Sequence, residues 1–330
     1  MAYDGKVMRQ ALQRFEEDRR AREERDRERR ESVFRRSPRL REIEMELRST
    51  MGRLVTAAFR RGVDPAGEIA GLRRENLRLQ WERQSLLNEL GLPEDCLEEK
   101  PACALCGDTG YREGRVCRCL RGYYAREQQR ELSRMLDLGT QSFETFSLDW
   151  YSEEHNPALG ISARENMDWV YRSCKKYAEN FGPGSGSLLL TGKPGLGKTF
   201  LSAAIAREVS GEGWSVVYDT AAHIFDRFES RKFGREEGDG GGDVERVLNC
   251  DLLILDDLGT ELTTAFVQSA LYQIVNTRLI ERRSTILSTN LMPSELAQRY
   301  SPQAASRIEG EYQLLPFVGE DIRRLKRERE

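Results

Sequence analysis

The octapeptide Gly192-Lys193-Pro194-Gly195-Leu196-Gly197-Lys198-Thr199 constrains the fold more than any other stretch of this chain. It fits the spacing G-x-x-x-x-G-K-[ST] throughout. An apolar run, SLLLT, precedes it, and a helical pattern, FLSAAIAREV, follows. Glycines at these positions let the backbone wrap an anion with its N–H groups pointing inward. The next helix directs its positive end to the same place. The expected ligand is a nucleoside triphosphate, held by residues 192–199 together with Phe200. Lys198 is placed to reach the β- and γ-phosphates, and the Thr199 hydroxyl to ligate Mg2+.

A second motif lies some way downstream. Leu252-Leu253-Ile254-Leu255-Asp256-Asp257 reads as an apolar strand that ends in two carboxylates. Such a strand is buried on both faces, and its carboxyl end faces the ligand crevice. Asp256 is placed to hold the metal and Asp257 to polarise the attacking water. A third run, Ser284–Thr289, ends at Asn290, which can hydrogen-bond the γ-phosphate or the water. Short apolar runs at 187–190, 215–218, 252–255, 284–289 and 314–318 alternate with helical patterns. That alternation predicts a parallel sheet with helices on its faces.

The remainder divides by composition. The chain has 330 residues with Lys+Arg 52 against Asp+Glu 55, so no overall basic surface suits nucleic acid, and any such site must be local. No run approaches the ~18 apolar residues of a membrane span, and the N-terminal stretch has no apolar core of a secretory signal. Residues 1–38 are mostly charge of both signs and are expected to be a solvated helix or disordered. In 39–95, Leu40, Ile43, Leu47, Met51 and Leu54 share one helical face, and Ile69, Leu72, Leu79, Leu86 and Leu90 another, with Asn76 and Arg83 in the gaps. Gly62 and Asp64-Pro65 separate the two, giving an antiparallel helical hairpin. Its stripes can bury each other or dock a partner.

Segment 96–139 holds Cys103-x-x-Cys106 and Cys117-x-Cys119, four of seven cysteines. Four thiolates on a turn-rich loop can complete a tetrahedral Zn2+ site, which stabilises a module too small for its own core. A redox pair or unliganded thiols are the alternatives. The odd cysteine count and this clustering point to a reducing cytoplasm. Cys96, Cys174 and Cys250 read as small apolar residues. With His155 and His223 the only histidines, chemistry that needs a histidine cluster is excluded. A glycine-rich loop spans Gly234–Gly242, within the domain expected over 140–330. Just before it, His223–Arg235 mixes Phe225, Phe228 and Phe233 with Arg227, Arg231, Lys232 and Arg235. Aromatic rings stack on bases and cations follow the backbone of single-stranded nucleic acid. A core-packed helix with a solvated outer face fits the same pattern.

The order and spacing of GKPGLGKT, LLILDDLG and STN resemble an AAA+ ATPase. More narrowly, LLILDDLGTE, NTRLIERRSTILSTN and SRIEGEYQLLPFVGEDIR resemble the DnaC/DnaI-type bacterial helicase loaders, with IstB-type transposition ATPases as close relatives. The resemblance covers about residues 140–325. It implies an AAA+ P-loop domain with a parallel five-stranded sheet, preceded by the hairpin and a small four-cysteine zinc module. It implies Lys198 and Thr199 as Walker A, Asp256 and Asp257 as Walker B, and Asn290 as sensor 1. It further implies Arg307 as a finger reaching a neighbouring subunit's ATP, and Arg323 as a sensor-2-like arginine. A surface ion pair is the alternative for both arginines, and Arg278 and Arg299 compete for the finger role. The pair Asp-Asp replaces the Asp-Glu of many AAA+ proteins and shortens the base by one methylene. The chain closes soon after Arg323, so no full helical lid is expected. The function implied is ATP-dependent loading of a replicative helicase in the cytoplasm, with ATP, Mg2+ and Zn2+, single-stranded DNA, and assembly of copies through the ATP site. A transposase helper and a nucleotide-gated adaptor without turnover are the other readings.

Overall fold

The computed structural model describes residues 3–58, 66–134, 136, 140–157, 160–233 and 241–329. They form two compact units, Arg14–Arg115 and Met1–Gln13 with Val116–Glu330. Gly62 and Asp64-Pro65, the residues of the expected helix break, lie outside the described residues, as do Arg235 and most of the glycine-rich loop.

Helix α1 (Gly5–Arg36) carries the charge-rich stretch. Along its middle, arginines pair with acids one turn away, as in Arg19–Glu23 and Arg20–Glu16. Near its end, Val33 and Phe34 are buried with Leu40, Leu87, Cys96 and Leu97. Helices α2 (Pro38–Ala58) and α3 (Ala66–Glu89) form the hairpin. Leu40, Ile43, Leu72 and Leu79 are buried, as their spacing requires. The gap position Arg83 is filled by an ion pair, its Nε 2.7 Å from Glu44 of α2, and Arg39 reaches Glu82 at 2.8 Å. These ion pairs join α2 to α3 beside the apolar stripes. Met45, Leu77 and Trp81 face solvent. Strands β1 (Tyr111–Arg112) and β2 (Arg115–Val116) make a two-stranded ribbon. Its turn residues Glu113 and Gly114 both have positive φ, 51° and 73°, the combination that matches strand twist in a two-residue hairpin.

In the larger unit, Val7 and Ala11 are buried against Tyr124 of α4 (Arg118–Leu132), and the Asp4 N–H donates to Tyr124 Oη at 3.0 Å. Strands β3 (His155–Asn156) and β4 (Ile161–Ser162) pair antiparallel ahead of α5 (Ala163–Glu179). The main body follows as β5 (Ser187–Thr191), α6 (Lys198–Gly211), β6 (Val216–Thr220), α7 (Ala221–Lys232), α8 (Gly241–Asn249), β7 (Leu252–Leu258), α9 (Ala265–Ile280), β8 (Ser284–Thr289), α10 (Pro293–Arg299), α11 (Pro302–Glu311), β9 (Tyr312–Pro316) and α12 (Ile322–Arg329). The five strands form one sheet in the order β6-β7-β8-β5-β9, parallel throughout.

Both faces of the sheet are covered, which explains its continuous apolar runs. Leu188, Leu190, Leu252, Ile254 and Ile286 enter one core, whereas Leu189, Leu253, Leu255 and Leu287 enter the other. The alternation follows the two-residue period of a strand. The fifth strand begins two residues earlier than its apolar run, because Tyr312 and Gln313 pair with Ser187 and Leu188. It stops at Pro316, which an edge strand tolerates.

Arg278, one of the finger candidates, has no exposed surface. Its guanidinium donates to the carbonyls of Val247, Leu248, Cys250 and Ser284 and to Thr285 Oγ1, at 2.6–3.1 Å. The negative end of α8 offsets its charge, so the residue is a fold element and cannot reach another subunit. Arg299 is likewise engaged, donating to the Glu261 carbonyl at 2.7 Å. Replacing Arg278 by Met strands the carbonyls it gathers. Unfolding in urea should show a loss of at least about 3 kcal/mol, since each unsatisfied buried group costs roughly 1–3 kcal/mol.

Candidate nucleotide site

The loop between β5 and α6 is shaped by glycines at positive φ: Gly192 at 143°, Gly195 at 77° and Gly197 at 90°. A Cβ on Gly192 would collide with the Phe317 carbonyl, and one on Gly195 with the Asp321 carboxylate. The glycines therefore serve close packing as well as loop curvature. Ile322 N–H donates to the Gly195 carbonyl at 3.0 Å, and the Tyr151 hydroxyl donates to the Leu196 carbonyl at 2.9 Å. Leu196 is buried in the core, while Lys193 and Pro194 lie toward the loop tip, both exposed. Tyr151 and the stretch before α12 thus brace the loop from two sides.

Lys198 opens α6 and is buried. Its Nζ donates to the carbonyls of Gly192 (2.6 Å) and Lys193 (2.9 Å) and to Asn290 Oδ1 (2.7 Å). All three protons of the ammonium are used. Burial pulls the Lys198 pKa below its usual value, against the pull of Asp257 and Asp256. Thr199 and Phe200 follow in the first turn, and the Phe200 ring turns edge-on to Phe146, 5.5 Å between centroids. That ring belongs to the aromatic cluster, which leaves Phe200 its backbone for a ligand.

Strand β7 breaks register between Leu255 and Leu258. This bulge separates two adjacent carboxylates, as bulges re-aim side chains near functional sites. Asp256 is buried, its Oδ2 accepting from the Tyr218 hydroxyl at 2.6 Å and its Oδ1 from the Asp257 N–H at 3.0 Å. Asp257 sits at φ 53° and faces outward. Partial burial and the neighbouring Asp256 raise its pKa, while Lys198 and Arg323 oppose that shift. Burial and the Asp256 charge push the Tyr218 phenol far above its usual range, so it remains a donor.

Lys198, Asp256, Asp257, Asn290 and Arg323 therefore share one charged neighbourhood at the carboxyl ends of β5, β7 and β8, where an open parallel sheet places its ligands. Arg307 does not join them. It lies exposed on α11 and makes no hydrogen bond or ion pair with any described residue. The site can hold a polyphosphate against the loop amides and Lys198. The hard oxygen donors of Thr199 and Asp256 suit Mg2+. Tyr151, Tyr218 and Asp321 escaped the sequence reading, for which the only signal was polar residues in or beside otherwise apolar runs.

Two other groups were expected to carry chemistry. The sulfur atoms of Cys103, Cys106, Cys117 and Cys119 lie within 4.8 Å of one another. Tetrahedral zinc with Zn–S bonds of about 2.3 Å spaces its sulfurs by roughly 3.8 Å, so the set fits that ion. In the segment after β6, Phe225 and Phe228 are buried in the core and cannot stack on bases. Arg227 pairs with Asp219 at 2.7 Å. Phe233 is 57% exposed beside Phe266, with Lys232 Nζ 5.9 and 5.1 Å from the two ring centroids.

Residues 176–306 match the family of IstB-like ATP binding proteins. This part of the chain is similar to that family. It shares 32% identity over 122 residues with the replicative helicase loader DnaC of Buchnera aphidicola subsp. Baizongia pistaciae, covering 37% of this chain and 50% of that protein. With DnaC of Escherichia coli K12 it shares 30% over 136 residues, 41% of this chain and 54% of that one. The chain spans about half the length of the curated relatives it matches. A crystal structure of the DnaC helicase loader superposes with a TM-score of 0.43 at 24% identity, over 53% of this chain and 98% of that one. A crystal structure of DnaI gives 0.44 at 20%, over 56% and 92%. The α/β architecture expected from the motifs, a five-stranded parallel sheet preceded by helices, is the one observed.

The raised pKa of Asp257 has a consequence for the protein free of nucleotide and metal. A carboxyl with a raised folded-state pKa favours folding below its unfolded value, near 3.9, and loses that contribution as pH rises through the folded value. Ionised Asp257 thus works against stability at neutral pH. Asparagine tolerates positive φ. Asp257→Asn should melt at a higher temperature than the wild type at pH 7, and the gap should close by about pH 3 in a thermal scan.

Proposed function

We propose that this protein is an ATP-dependent loader of a replicative DNA helicase. The observation that carries the proposal is the convergence of Lys198, Asp256, Asp257 and Asn290 on one phosphate loop, within a domain similar to DnaC-type loaders. ATP would lie on the loop amides of residues 192–199, and Lys198 would exchange its carbonyl partners for phosphate oxygens. Thr199 and Asp256 would hold Mg2+, which neutralises phosphate charge as the bond to the γ-phosphate weakens. Asp257 would orient the attacking water, Asn290 would hold it or the γ-phosphate, and Arg323 would add positive charge from the same chain.

Arg307 would complete the site of an adjacent copy, so that hydrolysis depends on assembly and ATP works as a switch. The four cysteines would hold a structural zinc ion. The exposed Phe233, flanked by Lys232, would stack on a base of single-stranded DNA. The helical hairpin, with Met45, Leu77 and Trp81 exposed, would grip the helicase.

Purification of the tagged full chain from its host, with ATP present, tests the partner. Recovery of the replicative helicase supports the loader reading, and recovery of a transposase instead supports the IstB-like alternative. The assembly claim has its own test. Arg307→Ala should bind ATP normally and lose roughly a thousandfold in hydrolysis. Lys198→Ala should fail to bind. Mixing the two inactive variants should restore turnover, because the Lys198→Ala copy still carries the arginine that its neighbour lacks.

A further inference from the structure

Among the described residues, Tyr218 does something the ATP-site motifs do not explain. Its ring lies in the core on one face of the sheet, where a phenylalanine would pack equally well. Its hydroxyl, however, donates to Asp256 Oδ2 at 2.6 Å. The two residues stand on neighbouring parallel strands, but not opposite one another. The register pairs Tyr218 with Ile254 and Thr220 with Asp256. The phenol therefore reaches along the strand direction to meet the carboxylate. Tyr218 and Asp256 are 5% and 3% exposed.

The other carboxylate oxygen accepts the Asp257 N–H at 3.0 Å. One donor at each oxygen fixes the plane of the Asp256 carboxyl, and each oxygen keeps a further lone pair. Without the phenol, the group would be held on one side only, next to the like charge of Asp257. Partners that orient a metal ligand in this way are typically worth about 10–100-fold in metal affinity.

We infer that Tyr218 is a positioning residue for the divalent cation that accompanies the nucleotide, acting through its hydrogen bond to Asp256. This rests on the ATP-site reading above. It adds a residue outside the Walker motifs and assigns it to the metal rather than to the nucleotide itself. The bond costs the carboxylate little charge and removes its freedom to turn away from the cation.

Tyr218→Phe deletes the hydroxyl and keeps the ring. Binding of a fluorescent ATP analogue to the full chain, titrated with free Mg2+ and repeated in excess chelator, separates metal from nucleotide. Direct Mn2+ binding followed by electron paramagnetic resonance gives a second readout. The half-saturating metal concentration should rise about tenfold or more. Chelator-limited nucleotide affinity should stay at the wild-type value. Tyr218→Met, of similar bulk and without a donor, should shift the metal titration likewise, and neither change should add anything in an Asp256→Asn background. A Tyr218→Phe protein with the wild-type metal midpoint overturns the inference, as does a loss of nucleotide affinity equal with and without metal. If the wild type itself binds no Mg-nucleotide, the ATP-site reading falls and takes this inference with it.

Discussion

A buried ammonium ion with no carboxylate in hydrogen-bond contact governs the architecture of the larger unit. Removing Lys198 from water costs heavily unless every proton finds an acceptor. The loop supplies two carbonyls from Gly192 and Lys193, and the residue after strand β8 supplies the third acceptor through Asn290. Gly192, which supplies one of those carbonyls, takes a positive φ of 143° that glycine permits. Asn290 arrives only because β8 lies beside β5 in the sheet. The cation, the glycines and the strand order therefore form one constraint, and the site is poised rather than complete.

The two ends of the sheet solve opposite problems. At the amino ends, Arg278 gathers carbonyls from α8, from the turn before β7 and from β8, and welds three elements together with one guanidinium. At the carboxyl ends, charges of both signs are held close and left partly unsatisfied by one another. The bulge in β7 turns Asp257 outward at the cost of a strained backbone while Asp256 stays anchored inside. Strain of this sort persists only where the surroundings over-determine it. A rigid amino edge makes an electrostatically tense carboxyl edge tolerable to the fold.

This division bears on how the chain would work. In the proposed reading Lys198, Asn290 and Arg323 would respond to phosphate from within one copy, while Arg307 lies exposed on α11. In that reading, a site completed by a second copy would couple nucleotide state to assembly. The smaller unit is organised differently. Its hairpin is joined by the Arg83–Glu44 and Arg39–Glu82 pairs, and it leaves Trp81 uncovered.

Much of the domain was legible because its signals are local. A glycine-lysine-threonine spacing, an apolar run ending in Asp256-Asp257 and the stripes of the hairpin each follow from backbone geometry within a few residues, and the sheet strands appeared close to where they were expected. Other features were not legible, because they depend on which strand lies beside which. Phe225, Phe228 and Phe233 look alike in the chain, yet only packing decided that two are core and one is exposed. Tyr218 reads as one more strand residue until β6 and β7 are set in register. Arg278 reads as a candidate finger until α8 closes over it. By itself the amino-acid order determined what the phosphate loop can bind and that a two-faced sheet would carry it, since those follow from spacing. Only the tertiary structure decided which polar groups stand behind that loop and its acids, because hydrogen bonds between distant elements are set by strand order and register, which no local pattern encodes.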